Sequence, residues 1–133
     1  MSFEVVGIDH IVLRVTDVAR SIAFYCDVLG CKEERRSEAL GLIQLRAGRS
    51  LIDLVDVSAP LGELGGPAAG ETARNVDHFA LQLRGFDEET MRSHLEVHGI
   101  EPDEVGERYG AEGMGLSMYI KDPDGNTVEL KAV

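Results

Sequence analysis

Cysteine is scarce in this chain. Only Cys26 and Cys31 occur among its 133 residues, and they lie five positions apart. A disulfide framework needs more cysteines than this, and a zinc knuckle needs them at regular spacings. We therefore expect both side chains to be reduced thiols, and the sequence excludes a fold held together by disulfide bonds.

Positive charge is also in short supply. Lys and Arg number 13 against 24 Asp and Glu, which gives a formal net charge of -11 at pH 7. Nucleic-acid binding depends on Lys and Arg that neutralise phosphates, so we expect no nucleic-acid partner. The adjacent Arg35 and Arg36 are interpreted as a solvated strand face. The charge favours a cationic or neutral small molecule as the ligand.

Long apolar runs are missing as well. No stretch approaches the roughly 18 consecutive apolar residues of a membrane span. The first ten residues, "MSFEVVGIDH", contain no basic region followed by a long apolar run, so we expect no signal peptide. We also expect no membrane partner, and we expect the protein to be cytoplasmic. With 44% apolar residues, a chain of 133 residues can form one domain with a core of its own.

What the sequence does contain is an internal repeat. Residues 7–15 read "GIDHIVLRV" and residues 75–83 read "NVDHFALQL", so that His10 matches His78. Further along, Gly30 matches Gly99. We predict one domain, 1–133, made of a first module (5–57), a linker (58–74) and a second module (75–133). The Gly-, Ala- and Pro-rich stretch 57–74 is interpreted as a linker, with a lid as the alternative.

Each module is predicted to contain one amphipathic helix. Val18, Ile22, Tyr25 and Leu29 recur at spacings of four, three and four, which places them on one apolar stripe, and Gly30 is expected to end that helix. In the second module we predict Asp87 as N-cap, a shorter stripe of Met91 and Leu95, and a stop at Gly99.

Strand-like segments follow each helix. They are "ALGLIQLRAG" and "SLIDLVDV" in the first module, and "GLSMYIKD" and "NTVELKAV" in the second. The stretch "EVGERYGAEGMG", which carries Arg108 and Tyr109, is interpreted as a glycine-rich loop that either folds over a ligand or is a mobile loop with no role. The order of elements predicts an α+β fold: two βαβββ modules form curved mixed sheets around a concave cavity, with the helices outside.

Alternation along the strands brings four potential metal ligands to the same face. Apolar side chains such as Leu13, Leu54, Leu81 and Leu130 occupy one face, and the opposite face receives His10, Asp53, His78 and Glu129. Two imidazoles and one or two carboxylates suit a divalent ion such as Zn, Ni, Mn or Fe. The alternative is that these are ordinary polar residues of a solvated sheet. A rival pair, His94 and His98 in "HLEVH", lacks a nearby third ligand.

The sequence resembles a known superfamily. The segments that carry the resemblance are "DHIVLRVTDVARSIAFYCDVLG", "DHFALQL" and "YIKDPDGNTVEL", and together they are similar to the vicinal oxygen chelate superfamily of glyoxalase I, bleomycin resistance proteins and extradiol dioxygenases. The resemblance implies a homodimer and a bound divalent metal. It also implies that two neighbouring oxygens of a small substrate chelate that metal.

The ligand positions of the family fall on His10, His78 and Glu129, and the remaining one falls on Asp53. Glyoxalase I has glutamate at this last position, and aspartate is one methylene shorter, so glyoxalase I activity is not expected. In an isomerase or lyase, Glu129 or Asp53 would act as the catalytic base. In a dioxygenase, His10, His78 and Glu129 would hold ferrous iron.

Two classes of function remain open from the sequence. The first is a metal-dependent lyase, isomerase or dioxygenase; the second is a metal-free protein that binds a drug or metabolite, as bleomycin-resistance relatives do. Strand register and the glycine-rich loop offer these residues for substrate binding: Gln44, Arg46, Tyr119, Arg108 and Tyr109.

Overall fold

The computed structural model describes residues 2–133, which divide into two compact units. The boundary lies between Ala68 and Ala69. Each unit contains one four-stranded sheet. The strands of the first unit are β1 (His10–Val15), β2 (Lys32–Ser37), β3 (Leu42–Ala47) and β4 (Ser50–Asp56). Those of the second are β5 (Phe79–Leu83), β6 (Val105–Gly110), β7 (Gly113–Lys121) and β8 (Thr127–Ala132).

The two sheets have the same topology. Their strand orders are β1-β4-β3-β2 and β5-β8-β7-β6. In each sheet the first and last strands of the unit run parallel, and the other neighbours are antiparallel. The repeat in the sequence is therefore a repeat of structure. The predicted α+β class, with mixed sheets, is confirmed.

The helix of the first unit differs from the prediction in its geometry. An α-helix, α1 (Val18–Ile22), runs directly into a π-helical segment, Ala23–Val28. The wider π turn rotates later side chains, so that Phe24 and Tyr25 are buried together while Leu29 remains half-buried. Gly30 follows at φ 79° and donates its N–H to the carbonyl of Cys26 at 3.1 Å, as expected of a helix stop.

The helix of the second unit follows the prediction closely. It is α3 (Glu88–Val97), and Asp87 caps it because its carboxylate accepts a hydrogen bond from the N–H of Thr90 at 2.9 Å. Leu95 is fully buried, and Gly99 follows the helix with φ 71°. The sequence signals for start, apolar face and stop all hold here.

The glycine-rich stretch predicted as a loop is instead a strand. β6 (Val105–Gly110) pairs antiparallel with β7, with Gly110 opposite Gly113 at the hairpin end. The loop interpretation was wrong because Gly110 and Gly113 form the end of the hairpin, and other glycines lie where a β-carbon would crowd a neighbouring side chain. A β-carbon on Gly115, for example, would lie 2.9 Å from Nζ of Lys131.

Part of the stretch read as a linker is also structured. It contains a short helix, α2 (Pro60–Glu63). Arg14 of β1 donates from its guanidinium to the carbonyl oxygens of Gly62, Gly66 and Pro67. These bonds hold the segment 62–67 against the first sheet.

Each sheet sorts its side chains as alternation predicts. Leu13, Leu45, Ile52 and Leu54 are buried in the first unit, and Met118, Ile120, Val128 and Leu130 are buried in the second. The opposite face carries polar side chains such as Gln44, Asp53, Tyr119 and Glu129, together with the apolar Val12, Leu51 and Val55. None of the helices within residues 2–133 has both the length and the apolar character needed to cross a membrane.

Candidate functional site

In the first unit, a histidine and a carboxylate share the polar face of neighbouring strands. Asp53 on β4 pairs with Val12 on β1, two residues beyond His10, and its side chain is buried. The pKa of His10 is raised above its usual value, first by the hydrogen bond with Asp9 and then by the negative charge of Asp53. The negative charge of Asp53 therefore acts on the His10 imidazole.

Gln44 braces this carboxylate. It lies directly opposite Asp53 in the antiparallel pairing of β3 with β4. Its amide nitrogen is 3.2 Å from Oδ2 and 3.3 Å from Oδ1 of Asp53. The structure thus gives Gln44, predicted from the sequence to bind substrate, a contact that fixes the orientation of Asp53.

The second unit repeats the arrangement. Glu129 on β8 pairs with Ala80 on β5, two residues beyond His78, and is 7% exposed. Oε1 of Glu129 lies 3.7 Å from Nε2 of His78. Two ligands about 2.1 Å from one tetrahedral ion stand about 3.4 Å apart, so this pair is spaced nearly as two ligands of one metal would be.

Tyr119 occupies the position that Gln44 has in the first unit. It lies directly opposite Glu129 on β7, and its hydroxyl donates a hydrogen bond to that carboxylate. Burial, followed by this bond, raises the pKa of Tyr119. Its ring packs edge-on against the His78 ring, with centroids 5.5 Å apart. Tyr119 thereby contacts both members of the pair.

Arg108 lies over this cluster. Its guanidinium carbon is 4.4 Å from the centre of the Tyr119 ring. Nη1 donates to the backbone oxygen and the hydroxyl of Ser117 at 3.0 and 3.1 Å, and Nη2 donates to Glu104 at 3.2 Å. These contacts hold the guanidinium against the Tyr119 ring.

Two other residues predicted to bind substrate have different surroundings. Arg46 forms an ion pair with Glu34 on β2, with Nη2 and Oε2 2.7 Å apart. Tyr109 is 81% exposed. The structure does not bring either of them to the histidine–carboxylate pairs through a described contact.

A pocket of about 460 Å³ opens beside His78 in the second unit. Three carboxylates line it, those of Asp77, Asp103 and Glu104, and the other lining residues are His78, Tyr119, Lys121 and Thr127. The Lys121 ammonium is hydrogen-bonded to the Thr127 hydroxyl. The carboxylates outnumber the cation, so the pocket favours a positively charged group.

Sequence reasoning assigned no role to the aspartate that precedes each histidine. Oδ2 of Asp9 lies 2.7 Å from Nδ1 of His10, and Oδ2 of Asp77 lies 2.7 Å from Nδ1 of His78. The signal was present in the sequence, because the dipeptide Asp-His occurs at the same point of both modules.

The rival histidine pair lies on α3 and in its C-cap. The rings of His94 and His98 are 5.0 Å apart and meet edge to face. Across residues 2–133, no group of three or more His, Cys, Asp and Glu side chains stands close enough together to hold a metal ion. The pairs described above each offer two donors.

Comparison with known proteins adds to this picture. The model of the Glyoxalase/Bleomycin resistance protein/Dioxygenase superfamily matches residues 7–130. The chain belongs to this superfamily. The resemblance inferred from the two Asp-His strands and the C-terminal "YIKDPDGNTVEL" is thereby confirmed.

Similarity to individual proteins is lower than 30% in sequence identity for the three compared below. The chain is 29% identical to the virulence protein STM3117 of Salmonella typhimurium over 129 residues, which cover 92% of this chain and 81% of that one. An integron cassette protein from the mobile metagenome of V. cholerae is 28% identical, with a TM-score of 0.75 and 99% and 98% of the two chains covered. Lactoylglutathione lyase from Agrobacterium tumefaciens, 22% identical, shares the fold with a TM-score of 0.65, over 96% and 93% of the chains.

Proposed function

We propose that the protein is a metal-dependent enzyme of the vicinal oxygen chelate type, a lyase, isomerase or dioxygenase acting on a small oxygenated substrate. One observation carries the proposal. In both units an imidazole has its Nδ1 close to an aspartate, and a carboxylate lies on the neighbouring strand. That carboxylate belongs to the residue that pairs with the second residue after the histidine. A sheet face with no ligand to bind has no need of this constellation twice.

The proposed ligands of the ion are His10, Asp53, His78 and Glu129. Because each pair offers only two donors, the proposal requires both kinds of pair, from one chain or from two, to share the ion. The donor set suits Zn, Ni, Mn or Fe, since these ions accept imidazole nitrogen together with carboxylate oxygen. The spacing of 3.7 Å between His78 and Glu129 supports this part of the proposal. When bound, a divalent ion of this kind would supply Lewis acidity to two vicinal oxygens of the substrate.

The side chains of the protein have separate tasks in this proposal. Glu129 is the proposed proton acceptor, with Asp53 as the alternative. Tyr119 donates to Glu129 and orients it, while Gln44 orients Asp53 in the same way. Arg108 packs over Tyr119 and keeps its ring in place. Gln44, Arg46, Tyr119 and Arg108 also stay candidates for contact with the substrate.

The test is metal content. Protein purified without a histidine tag is analysed by mass spectrometry for transition metals, together with the variants His10→Ala and Glu129→Ala. We expect bound metal in the wild type and a large loss in both variants, because each lacks a ligand. His98→Ala and Glu101→Ala, which remove the same residue types elsewhere, serve as controls and retain the metal. Less than about a tenth of an equivalent in the wild type, with no uptake on titration, would contradict the proposal.

A second candidate is a metal-free protein that binds a cationic drug or metabolite. The pocket beside His78 favours it, because three carboxylates line a space of about 460 Å³. Calorimetric titration of the chelator-treated protein with bleomycin tests this function. Binding that persists without metal and weakens in the Glu104→Gln variant supports it, and the absence of binding rejects bleomycin as the ligand.

Assembly and location complete the proposal. Members of the superfamily often form dimers, so we propose a homodimer. We also propose that the protein is located in the cytoplasm. Light scattering on the purified protein distinguishes the mass of one chain, 14.5 kDa, from that of two.

A further inference from the structure

We infer that Asp9 and Asp77 are positioning residues that set the tautomer and the ring orientation of His10 and His78. Each neutral imidazole would then carry its proton on Nδ1, and the lone pair of Nε2 would be free to bind a metal ion. The tautomer itself is independent of the proposed enzyme, but its purpose as a metal-ligand device rests on that proposed function.

The first argument is the repetition of the geometry. The separation of Oδ2 from Nδ1 is 2.7 Å in both units, short enough for a charge-assisted hydrogen bond. His10 opens β1, and His78 immediately precedes β5. The same two residues therefore make the same contact at the same point of two separate units.

The second argument excludes a packing role for these aspartates. The side chains of Asp9 and Asp77 are 89% and 96% exposed. Groups so exposed add nothing to the core, and an isolated surface ion pair contributes little to stability. A contact with the neighbouring imidazole, made in the same way twice, is better explained by its effect on that imidazole.

The third argument concerns protons. An ionised carboxylate can only accept hydrogen bonds, so Nδ1 must be the donor in each pair. In a neutral imidazole the proton is then absent from Nε2, which becomes an acceptor. Nε2 of His78 and Oε1 of Glu129 are 3.7 Å apart, so two acceptors face each other when the imidazole is neutral. Such a pair is stabilised by a cation between its members, and a divalent metal supplies one.

In the first unit, a backbone hydrogen bond of Asp9 also supports its role as a positioning residue. The backbone carbonyl of Asp9 accepts a hydrogen bond from the N–H of Leu51 at 3.0 Å, which ties Asp9 to β4, the strand that carries Asp53. Asp9, which orients His10, is thus bonded to the strand that carries Asp53, the carboxylate proposed to bind the same metal ion as His10.

The decisive experiment measures tautomers directly. Long-range proton–nitrogen NMR spectra are recorded on the metal-free, ¹⁵N-labelled protein at about pH 9, well above the ordinary imidazole pKa of about 6.5. We expect the Nδ1–H form for His10 and His78. His98 in the same spectra provides an internal reference for an imidazole without a neighbouring aspartate.

Variants separate positioning from general structural effects. In Asp77→Ala we expect the His78 signal to change to the Nε2–H form, while the His10 signal stays unchanged. Asp77→Asn should restore part of the Nδ1–H population, because its amide oxygen can still accept. Asp103→Ala, which removes another carboxylate from the same pocket, should leave both tautomers unaltered. Nε2–H tautomers in the wild type, or no change in Asp77→Ala, would overturn the inference.

Metal affinity provides the second readout. Titration with Co²⁺ should show Asp77→Ala to bind about 10- to 100-fold more weakly than the wild type, which is the usual effect of removing a residue that orients a ligand. Nδ1–H tautomers without any metal uptake would support the positioning role and contradict the proposed function. Metal uptake together with Nε2–H tautomers would contradict the positioning role and support the proposed function.

Discussion

Each histidine–carboxylate pair combines a histidine at the start of one strand, or just before it, with a carboxylate on the neighbouring strand. A residue on a third strand contacts the carboxylate. Gln44 supports Asp53, and Tyr119 supports Glu129, each from the position directly opposite on the antiparallel neighbour. Because these strands pair residue for residue, a substitution at either bracing position acts on one carboxylate only.

The faces of these residues could be predicted from the sequence, but their contacts could not. Alternation has a period of two, so it fixes which side of the sheet Gln44 and Tyr119 occupy. It does not say whether a polar side chain on that face turns to a substrate or to its neighbour. For the same reason Asp9 and Asp77 were visible as a repeat while their bonds to Nδ1 were not.

A prediction at the residue scale concerns the two thiols. Cys31 is 8% exposed, and burial raises its pKa to about 11. At pH 8 about 0.1% of it would be thiolate, the form that reacts with iodoacetamide. The pKa of Cys26 is also raised, by burial first, but this residue is partly exposed.

We therefore expect iodoacetamide to modify Cys26 several-fold faster than Cys31 in the native protein at pH 8. Both thiols lie in one tryptic peptide, Ser21–Lys32, so tandem mass spectrometry that fragments this peptide between Cys26 and Cys31 measures the two rates over time. In urea the difference should disappear, because unfolding removes the burial. Equal rates in the native protein would show that Cys31 is accessible.

At the scale of elements, the repeat of β-strands was easier to predict than the details of the segments between them. Asp87 and Gly99 are local signals, and the helix they flank was found between them. The π-helical segment Ala23–Val28 has no comparable signal, because one additional residue in a turn changes the helix period less than the sequence pattern can resolve. In β6, glycines were taken for loop residues, although strand pairing outweighs their low intrinsic preference.

The short helix α2 gives a prediction at this scale. A glycine-to-alanine change in a helix usually stabilises, but a β-carbon on Gly62 would lie 1.8 Å from the carbonyl oxygen of Asp56. Gly62→Ala should therefore lower the free energy of unfolding by about 1–3 kcal/mol, the usual cost of overpacking. Urea unfolding followed by circular dichroism measures it.

The matched control is Gly70→Ala, because a β-carbon at Gly70 meets nothing within 4 Å. We expect the control to change the free energy of unfolding by less than about 0.5 kcal/mol. If Gly62→Ala were as stable as the wild type, α2 would not be packed as closely against the end of β4 as described.

For the whole molecule, the family could be inferred from the sequence because its signals are spread over most of the chain, in both modules. The chemistry could not be inferred with the same detail, since one fold hosts several reactions and the site must decide among them. The net charge of -11 acts at this scale too, because it concentrates cations and disfavours polyanionic partners.

A prediction about substrate choice belongs here. The resemblance to glyoxalase I predicts that Asp53 takes a ligand position where that enzyme has glutamate, and the amide nitrogen of Gln44 contacts both oxygens of Asp53. A carboxylate with a shorter side chain, held in this way, reaches less far, so we expect little turnover of methylglyoxal with glutathione. The ultraviolet absorbance of the thioester product measures turnover, with an authentic glyoxalase I as control. Robust turnover would show that the shorter side chain is no obstacle.

The most direct test of the central claim is calorimetric titration of the metal-free protein with Co²⁺, comparing the wild type with His78→Ala and His98→Ala. We predict binding of about one ion per chain by the wild type and by His98→Ala, and at least 10-fold weaker binding by His78→Ala. Binding by His78→Ala that equals that of the wild type would contradict the claim that the paired histidines and carboxylates hold the metal.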